Sequence, residues 1–278
     1  MEIETLIENL VGEIRKVAGV SAVVLGGSRA RGTQQAKSDI DLGIYYQPEE
    51  PLDLLALNRV ATRFDDARRE QILTQPGGWG PWINGGGWLK VGGLPVDFLY
   101  RDLGKVSAVI SACQAGQVEV VYQPGHPLGF VSAMYMGEIA ICKLLWESQA
   151  GEVTALKAQA WPYPLALQKA LIEKFAWEIS FSLENARKAI PRGDVVYAAG
   201  SCFRSAACML QTLFAINRQY WLNEKGAVAL TENFELRPTN FRARIESAFG
   251  LLTAENQALQ AGIDILDGLA VETQALCK

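Results

Sequence analysis

Apolar side chains recur at helical spacing over residues 3–18, where Ile3, Leu6, Ile7, Leu10, Val11 and Ile14 are separated by Glu and Lys and Gly19 ends the run. Val20-Ser21-Ala22-Val23-Val24-Leu25 reads as a buried strand running into Gly26-Gly27, and Ile40 to Tyr46 as its partner. Pro48 and Pro51 flank a loop, and residues 52–70 return to the helical period. Gln75 to Gly87 is rich in Gly and Pro, holds Trp79 and Trp82 and runs into Trp88; it is expected to be a loop serving as a lid or specificity element. Trp88 to Val91 and Leu94 to Tyr100 flank Gly92-Gly93, which is a hairpin signal. A helix near 103–114 and a strand at 117–122 complete this part.

Past Gln123-Pro124-Gly125-His126-Pro127 the pattern changes. Helical periodicity covers 133–149, 165–190, 195–220, 240–249 and 253–275, with breaks at Pro162, Pro164 and Pro191 and no convincing strand or repeat. The expected class is α+β: a small mixed β-sheet domain over 1–125, then an all-α helical bundle over 126–278.

Composition narrows the partners. The 278 residues are 49% hydrophobic and 20% charged, with a formal charge of -4. A chain that grips a duplex or tRNA shows a basic stripe, and none is present, so no nucleic-acid partner is expected. The five cysteines have no CxxC pairing, which favours a reducing compartment. The single histidine, His126, rules out a multi-histidine zinc site. The acidic start Met1-Glu2-Ile3-Glu4 is not a signal peptide, and no apolar run reaches the ~18 residues that span a bilayer. A cytoplasmic protein without membrane contact is expected; the oligomeric state is open.

The chemistry is concentrated in a few residues. Asp39 and Asp41 flank Ile40, and on a strand residues i and i+2 share a face about 7 Å apart. Asp97 sits in the apolar run Pro95-Val96-Asp97-Phe98-Leu99-Tyr100, where a charge is costly unless compensated. If its strand lies beside Ile40–Tyr46, at the usual ~4.8 Å, three carboxylates converge. They cannot all stay ionised without a cation, and Mg²⁺ answers that need with oxygen ligands shared between carboxylates and phosphates. The turn Gly26-Gly27-Ser28 lets backbone approach an anion, Ser28 adds a hydroxyl donor, and Arg31 lies on the face of Ser28 one helical turn on. The turn is not a P-loop and no GxGxxG is present.

Gly27-Ser28, Asp39-x-Asp41 and Asp97 resemble, in order and spacing, the signature of the DNA polymerase beta nucleotidyltransferase superfamily. The form Gly27-Ser28-Arg29-Ala30-Arg31, and the plan of a small catalytic domain followed by helices, is similar to the bacterial antibiotic nucleotidyltransferases of the aminoglycoside type. The resemblance covers residues 20–122 by motif and the rest by layout. It implies a catalytic domain at 1–125 and a helical domain at 126–278 that completes the nucleotide and substrate sites. Asp39 and Asp41 would hold Mg²⁺, and Gly27, Ser28 and Arg31 would meet the triphosphate. Asp97 would be a metal ligand, the base for the acceptor hydroxyl, or both. A lysine of the helical domain would meet the phosphates; Lys225 is the first choice and Lys143 the second. The implied reaction moves a nucleoside monophosphate, AMP from ATP, to a hydroxyl of a small molecule such as an aminoglycoside. Glu138, Glu173 and Glu178 are either acceptor contacts or solvated helix faces. Transfer of AMP to a protein, as in toxin–antitoxin systems, and a nucleotide sensor without chemistry are the alternatives.

Overall fold

The computed structural model describes residues 2–35 and 37–278. In chain order the elements are α1 (Ile3–Ile14), β1 (Val20–Leu25), α2 (Gly27–Arg31), β2 (Ile40–Tyr46), α3 (Leu54–Phe64), β3 (Gly86–Val91), β4 (Leu94–Asp102), α4 (Leu103–Gln114), β5 (Val120–Val121), β6 (Phe130–Val131), α5 (Ala133–Ile141), β7 (Lys143–Glu147), α6 (Glu152–Ala160), α7 (Leu165–Ala189), α8 (Val195–Ile216), α9 (Ala227–Leu230), α10 (Phe241–Gly250) and α11 (Asn256–Ala275). They form two compact units, Met1–Ser111 with Tyr135–Pro162 and Ala112–Met134 with Tyr163–Lys278.

The first unit is built on a mixed five-stranded sheet of order β3-β4-β2-β1-β7. β2 and β4 run parallel and the other neighbours antiparallel. Alternation along the strands sends Ile40, Leu42, Ile44, Val96, Phe98, Tyr100, Leu89 and Val91 to one face, where they pack with Leu6, Leu10 and Ile14 of α1 and Leu57, Val60 and Ala61 of α3. The opposite face carries Asp41 and Tyr45 from β2, Asp97 and Arg101 from β4, and Trp88 from β3. The β3–β4 turn is Gly92-Gly93, both at positive φ (58° and 82°), as a tight hairpin turn requires. The Asp66 carboxylate accepts from both glycine N–H groups, at 2.8 and 2.9 Å.

Three expectations are corrected. Residues 133–149 are not one helix: α5 stops at Ile141 and Lys143–Glu147 is β7, paired antiparallel with β1. Periodicity cannot separate a short apolar strand from a helix turn, and the open edge of β1 decides it here. This strand returns residues 135–162 to the first unit, so the compact units are not divided by a single cut at 125/126. Second, α3 ends at Phe64 instead of reaching 70. Asp65 leaves the helix and its carboxylate accepts from the Lys90 N–H (3.0 Å) and, as a fork, from Arg69 Nε (2.9 Å) and Nη2 (2.7 Å). Third, the strand expected at 117–122 is reduced to Val120–Val121, because its partner Phe130–Val131 is equally short.

The second unit is helical apart from that ribbon. α7 buries Leu167, Leu171, Phe175, Ile179, Leu183 and Ala186, a stripe at three- and four-residue intervals. α8 is buried without interruption from Ser205 to Ile216, as befits the central helix of a bundle. Cys202 and Cys208 lie within it as small hydrophobes, and burial pushes their thiols up to about 11 and about 12. Among the described residues no helix is long and apolar enough to cross a membrane.

Candidate active site

Asp41 and Asp97 are register partners on the parallel strands β2 and β4, so both carboxylates rise from neighbouring positions on the face opposite the α1/α3 core. Two like charges directly opposite one another oppose folding unless something favours them. Asp39 stands one residue outside the ladder, half-buried at the entry to β2.

β1 delivers the glycine turn to the same place. The Gly26 N–H donates to the Asp41 carbonyl (2.8 Å), which fixes the end of β1 against β2. Gly27 has φ +58°, and a Cβ built on it would overlap Asp41 Oδ2 and lie 2.8 Å from Cγ. Only glycine brings the backbone this close to the carboxylate. α2 then runs Gly27–Arg31 and stops at Gly32, whose φ of 78° is left-handed. Ser28 and Arg31 lie half-buried on this single turn, and burial pulls the Arg31 guanidinium below its usual range.

Arg29 has a separate role that motif spacing did not reveal. It is buried, and its Nε and Nη2 donate to the carbonyls of Asp39 (3.0 Å) and Ser38 (2.6 Å). It thereby ties the segment carrying Asp39 to α2. The signal was a second arginine inside Gly27–Arg31, but nothing local distinguishes the arginine that turns inward.

Further along the same sheet face, opposite charges meet. Arg101, only 3% exposed, donates Nε and Nη2 to the two oxygens of Glu138 on α5, both at 2.7 Å. Its guanidinium also lies 5.4 Å from the centre of the Tyr135 ring. Burial alone would lower the Arg101 pKa; the Glu138 carboxylate outweighs it and the value rises. Burial also raises the Tyr45 phenol well above its usual range. Glu138 is thus the partner of a buried arginine, and Glu178 pairs with Arg204 in the second unit.

The two lysines belong to different units. Lys225 occupies an exposed turn of the second unit before α9, next to Glu224, which accepts from the Leu128 N–H at 2.8 Å. Lys143 opens β7 opposite Leu25, whose side chain belongs to the α1/α3 core, so alternation gives Lys143 the face away from Asp41.

Among the described residues no group of three or more His, Cys, Asp or Glu side chains is gathered into a metal cage. The fit to a divalent cation rests instead on the Asp41–Asp97 pair. Its donors are all oxygens, as a hard ion such as Mg²⁺ requires, and Gly27 keeps backbone rather than a side chain beside Asp41.

A nucleotidyltransferase-like protein from Exiguobacterium sibiricum 255-15 is similar in structure, with a TM-score of 0.42 and 12% identity over 96% of this chain and 73% of that one. No curated protein matches the chain significantly. Residues 7–111, which hold Gly27, Ser28, Arg31, Asp39, Asp41 and Asp97, match the family model described as a nucleotidyltransferase domain. Residues 7–111 therefore form a nucleotidyltransferase domain of the polymerase-beta-like superfamily, which indicates nucleotidyl transfer as the activity.

Proposed function

We propose that the protein transfers AMP from Mg-ATP to a hydroxyl of a small molecule, with Asp39, Asp41 and Asp97 as its acidic residues and Gly27, Ser28 and Arg31 as its phosphate contacts. The observation that carries this reading is the register pair Asp41–Asp97 with the Gly27 backbone against Asp41. A divalent cation bound there supplies neutralisation of the phosphates and of the charge that develops on the attacking and leaving oxygens. The glycine turn admits a phosphate oxygen to within hydrogen-bond reach of backbone, and Ser28 donates its hydroxyl. Arg31, desolvated but still cationic, holds the leaving pyrophosphate. Asp39 and Asp41 orient the nucleotide for in-line attack, and Arg29 keeps the Asp39 segment in position. Asp97 takes the proton of the acceptor hydroxyl as its oxygen attacks the α-phosphate. Most of the acceleration in such a transfer comes from positioning and electrostatics, which rigid strands provide.

The test incubates the full chain with labelled ATP, GTP, CTP or UTP, Mg²⁺ and a panel of aminoglycosides and lincosamides. Label from ATP on a small molecule, lost in Ser28→Ala and Asp41→Asn, is the expected result. Label on protein would replace this reading with protein AMP transfer. Nucleotide binding without turnover on any acceptor would replace it with a sensor.

A further inference from the structure

The β5–β6 ribbon of the second unit is covered on one side only. Phe130 and Val131 of β6 are buried, whereas Val120 of β5 and Tyr122 just beyond it are exposed. The register sets Val120 against Val131 and Val121 against Phe130. One step back along β5, the Glu119 carbonyl accepts from the Ser132 N–H at 2.9 Å, and the Glu119 N–H donates to Ser132 Oγ at 3.0 Å. Glu119 and Val121 therefore bond inward. Antiparallel alternation turns the N–H and C=O groups of Val118, Val120 and Tyr122 to the outer edge. Among the described residues no strand pairs with that edge. Soluble proteins guard such an edge with lysine, proline or a bulge. The run Val118-Glu119-Val120-Val121-Tyr122 has none of these, and its β-branched and aromatic residues favour pairing.

The surface flanking β5 is apolar as well. Val118 and Val120 share a cleft with Trp177 of α7, Val120 and Tyr122 share the next, and Arg204 of α8 borders both. The Trp177 ring lies 5.6 Å from that of Phe181, one helical turn on. Tyr122, Trp177 and Phe181 are 91%, 59% and 49% exposed. At ~200 Å² for an aromatic side chain they leave about 400 Å² in water. A stable interface takes roughly 800 Å² per partner, so three side chains supply half of it. The charges beside the patch cancel, with Glu173 and Glu178 against Lys174 and Arg204.

A neutral flank meets its own copy without an excess of like charge, and the strand is complementary to itself. Antiparallel pairing of two β5 strands about a two-fold at Val120 sets Val118 against Tyr122, Glu119 against Val121 and Val120 against Val120. The outward groups of Val118, Val120 and Tyr122 then all find partners. A two-fold at Glu119 would oppose two carboxylates. One at Val121 would bring Pro124, which has no N–H, opposite Val118.

We propose that the outer edge of β5 seats a second copy of this chain, joined across a two-fold at Val120 into a four-stranded sheet of order β6-β5-β5-β6. Trp177 and Phe181 of both copies flank the joint. The contact is isologous, so it closes at two chains. It does not depend on the AMP-transfer reading.

Light scattering and sedimentation equilibrium on the full chain, over a range of concentrations, test it. A dimer is expected. Val120→Lys sets two ammonium groups against each other at the two-fold and should raise the dissociation constant at least a hundredfold, with circular dichroism unchanged. Trp177→Ala, outside the strand, should raise it about tenfold. Under mild oxidation Val120→Cys should link the two copies, while Gln117→Cys and wild type should not. The cysteine link reads the contact even where the lysine variant fails to fold. A wild-type chain that is monomeric at every concentration overturns the proposal and leaves the edge to a different protein. A dimer that a folded Val120→Lys leaves intact overturns it too, as does a Gln117→Cys link as strong as that of Val120→Cys.

Discussion

The sheet face opposite the α1/α3 core has two ends that handle charge in opposite ways. At one end Arg101, buried, and Glu138, partly exposed, meet as a fork of opposite charges beneath Tyr135 and beside Tyr45. At the other, Asp41 and Asp97 are register partners and the Gly27 backbone lies against Asp41. The first end is an arrangement that serves the fold. The second sets two like charges on adjacent strands, an arrangement suited to a cation-bearing ligand. Burial alone therefore does not mark the site; the sign of the neighbouring charge does.

Substitutions at the two ends should have opposite signatures. Asp41→Asn and Asp97→Asn should each reduce nucleotidyl transfer by ~10²–10³-fold, the scale of losing one aligned electrostatic contact. The same variants should leave the melting temperature within about 2 °C of wild type, since ~0.5 kcal/mol is the scale of one cross-strand charge pair. Activity assays beside thermal unfolding check this, and a fall in both quantities would erase the contrast. Glu138→Ala leaves Arg101 buried without its carboxylate and should cost about 3 kcal/mol, seen in chemical denaturation, while activity per folded molecule stays within a few-fold. Gly27→Ala tests the junction between turn and carboxylate. The methyl has no room beside Asp41 and φ +58° strains an L residue, so about 1–2 kcal/mol of stability should disappear together with most activity.

The smallest expected effect is at Asp65, a buried carboxylate paired structurally like Glu138 but outside the site. The Arg69 fork outweighs its burial and holds its pKa well below the usual carboxylate value. A depressed folded-state pKa gives stability that is present above the unfolded value, about 4, and is lost as pH falls from there through the folded value. Denaturant midpoints of wild type and Asp65→Asn should therefore differ at pH 7 and converge steadily below about pH 4. A gap that widens on acidification would contradict the assigned role.

Much of this was written locally. Strands β1, β2 and β4 follow from short apolar runs, and the Gly-Ser turn, Asp39-x-Asp41 and Asp97 stand out because charges and glycines interrupt or bound those runs. The hairpin at Gly92-Gly93 was equally plain. What escaped is decided by distant partners. Lys143–Glu147 reads as helix until the edge of β1 needs a neighbour. Arg29 and Arg31 look interchangeable until the carbonyls of Ser38 and Asp39 take one of them inward. Glu138 resembles a solvated helix residue until Arg101 reaches it from β4.

The account depends on the apposed aspartates being a seat for a cation-bound nucleotide, and calorimetric titration tests that most directly. A non-hydrolysable ATP analogue should bind the wild-type chain with Mg²⁺ and lose at least tenfold in affinity, ~1.4 kcal/mol, when Mg²⁺ is withheld or Asp41 becomes Asn. Equal affinity with and without the metal, or in Asp41→Asn, would contradict it.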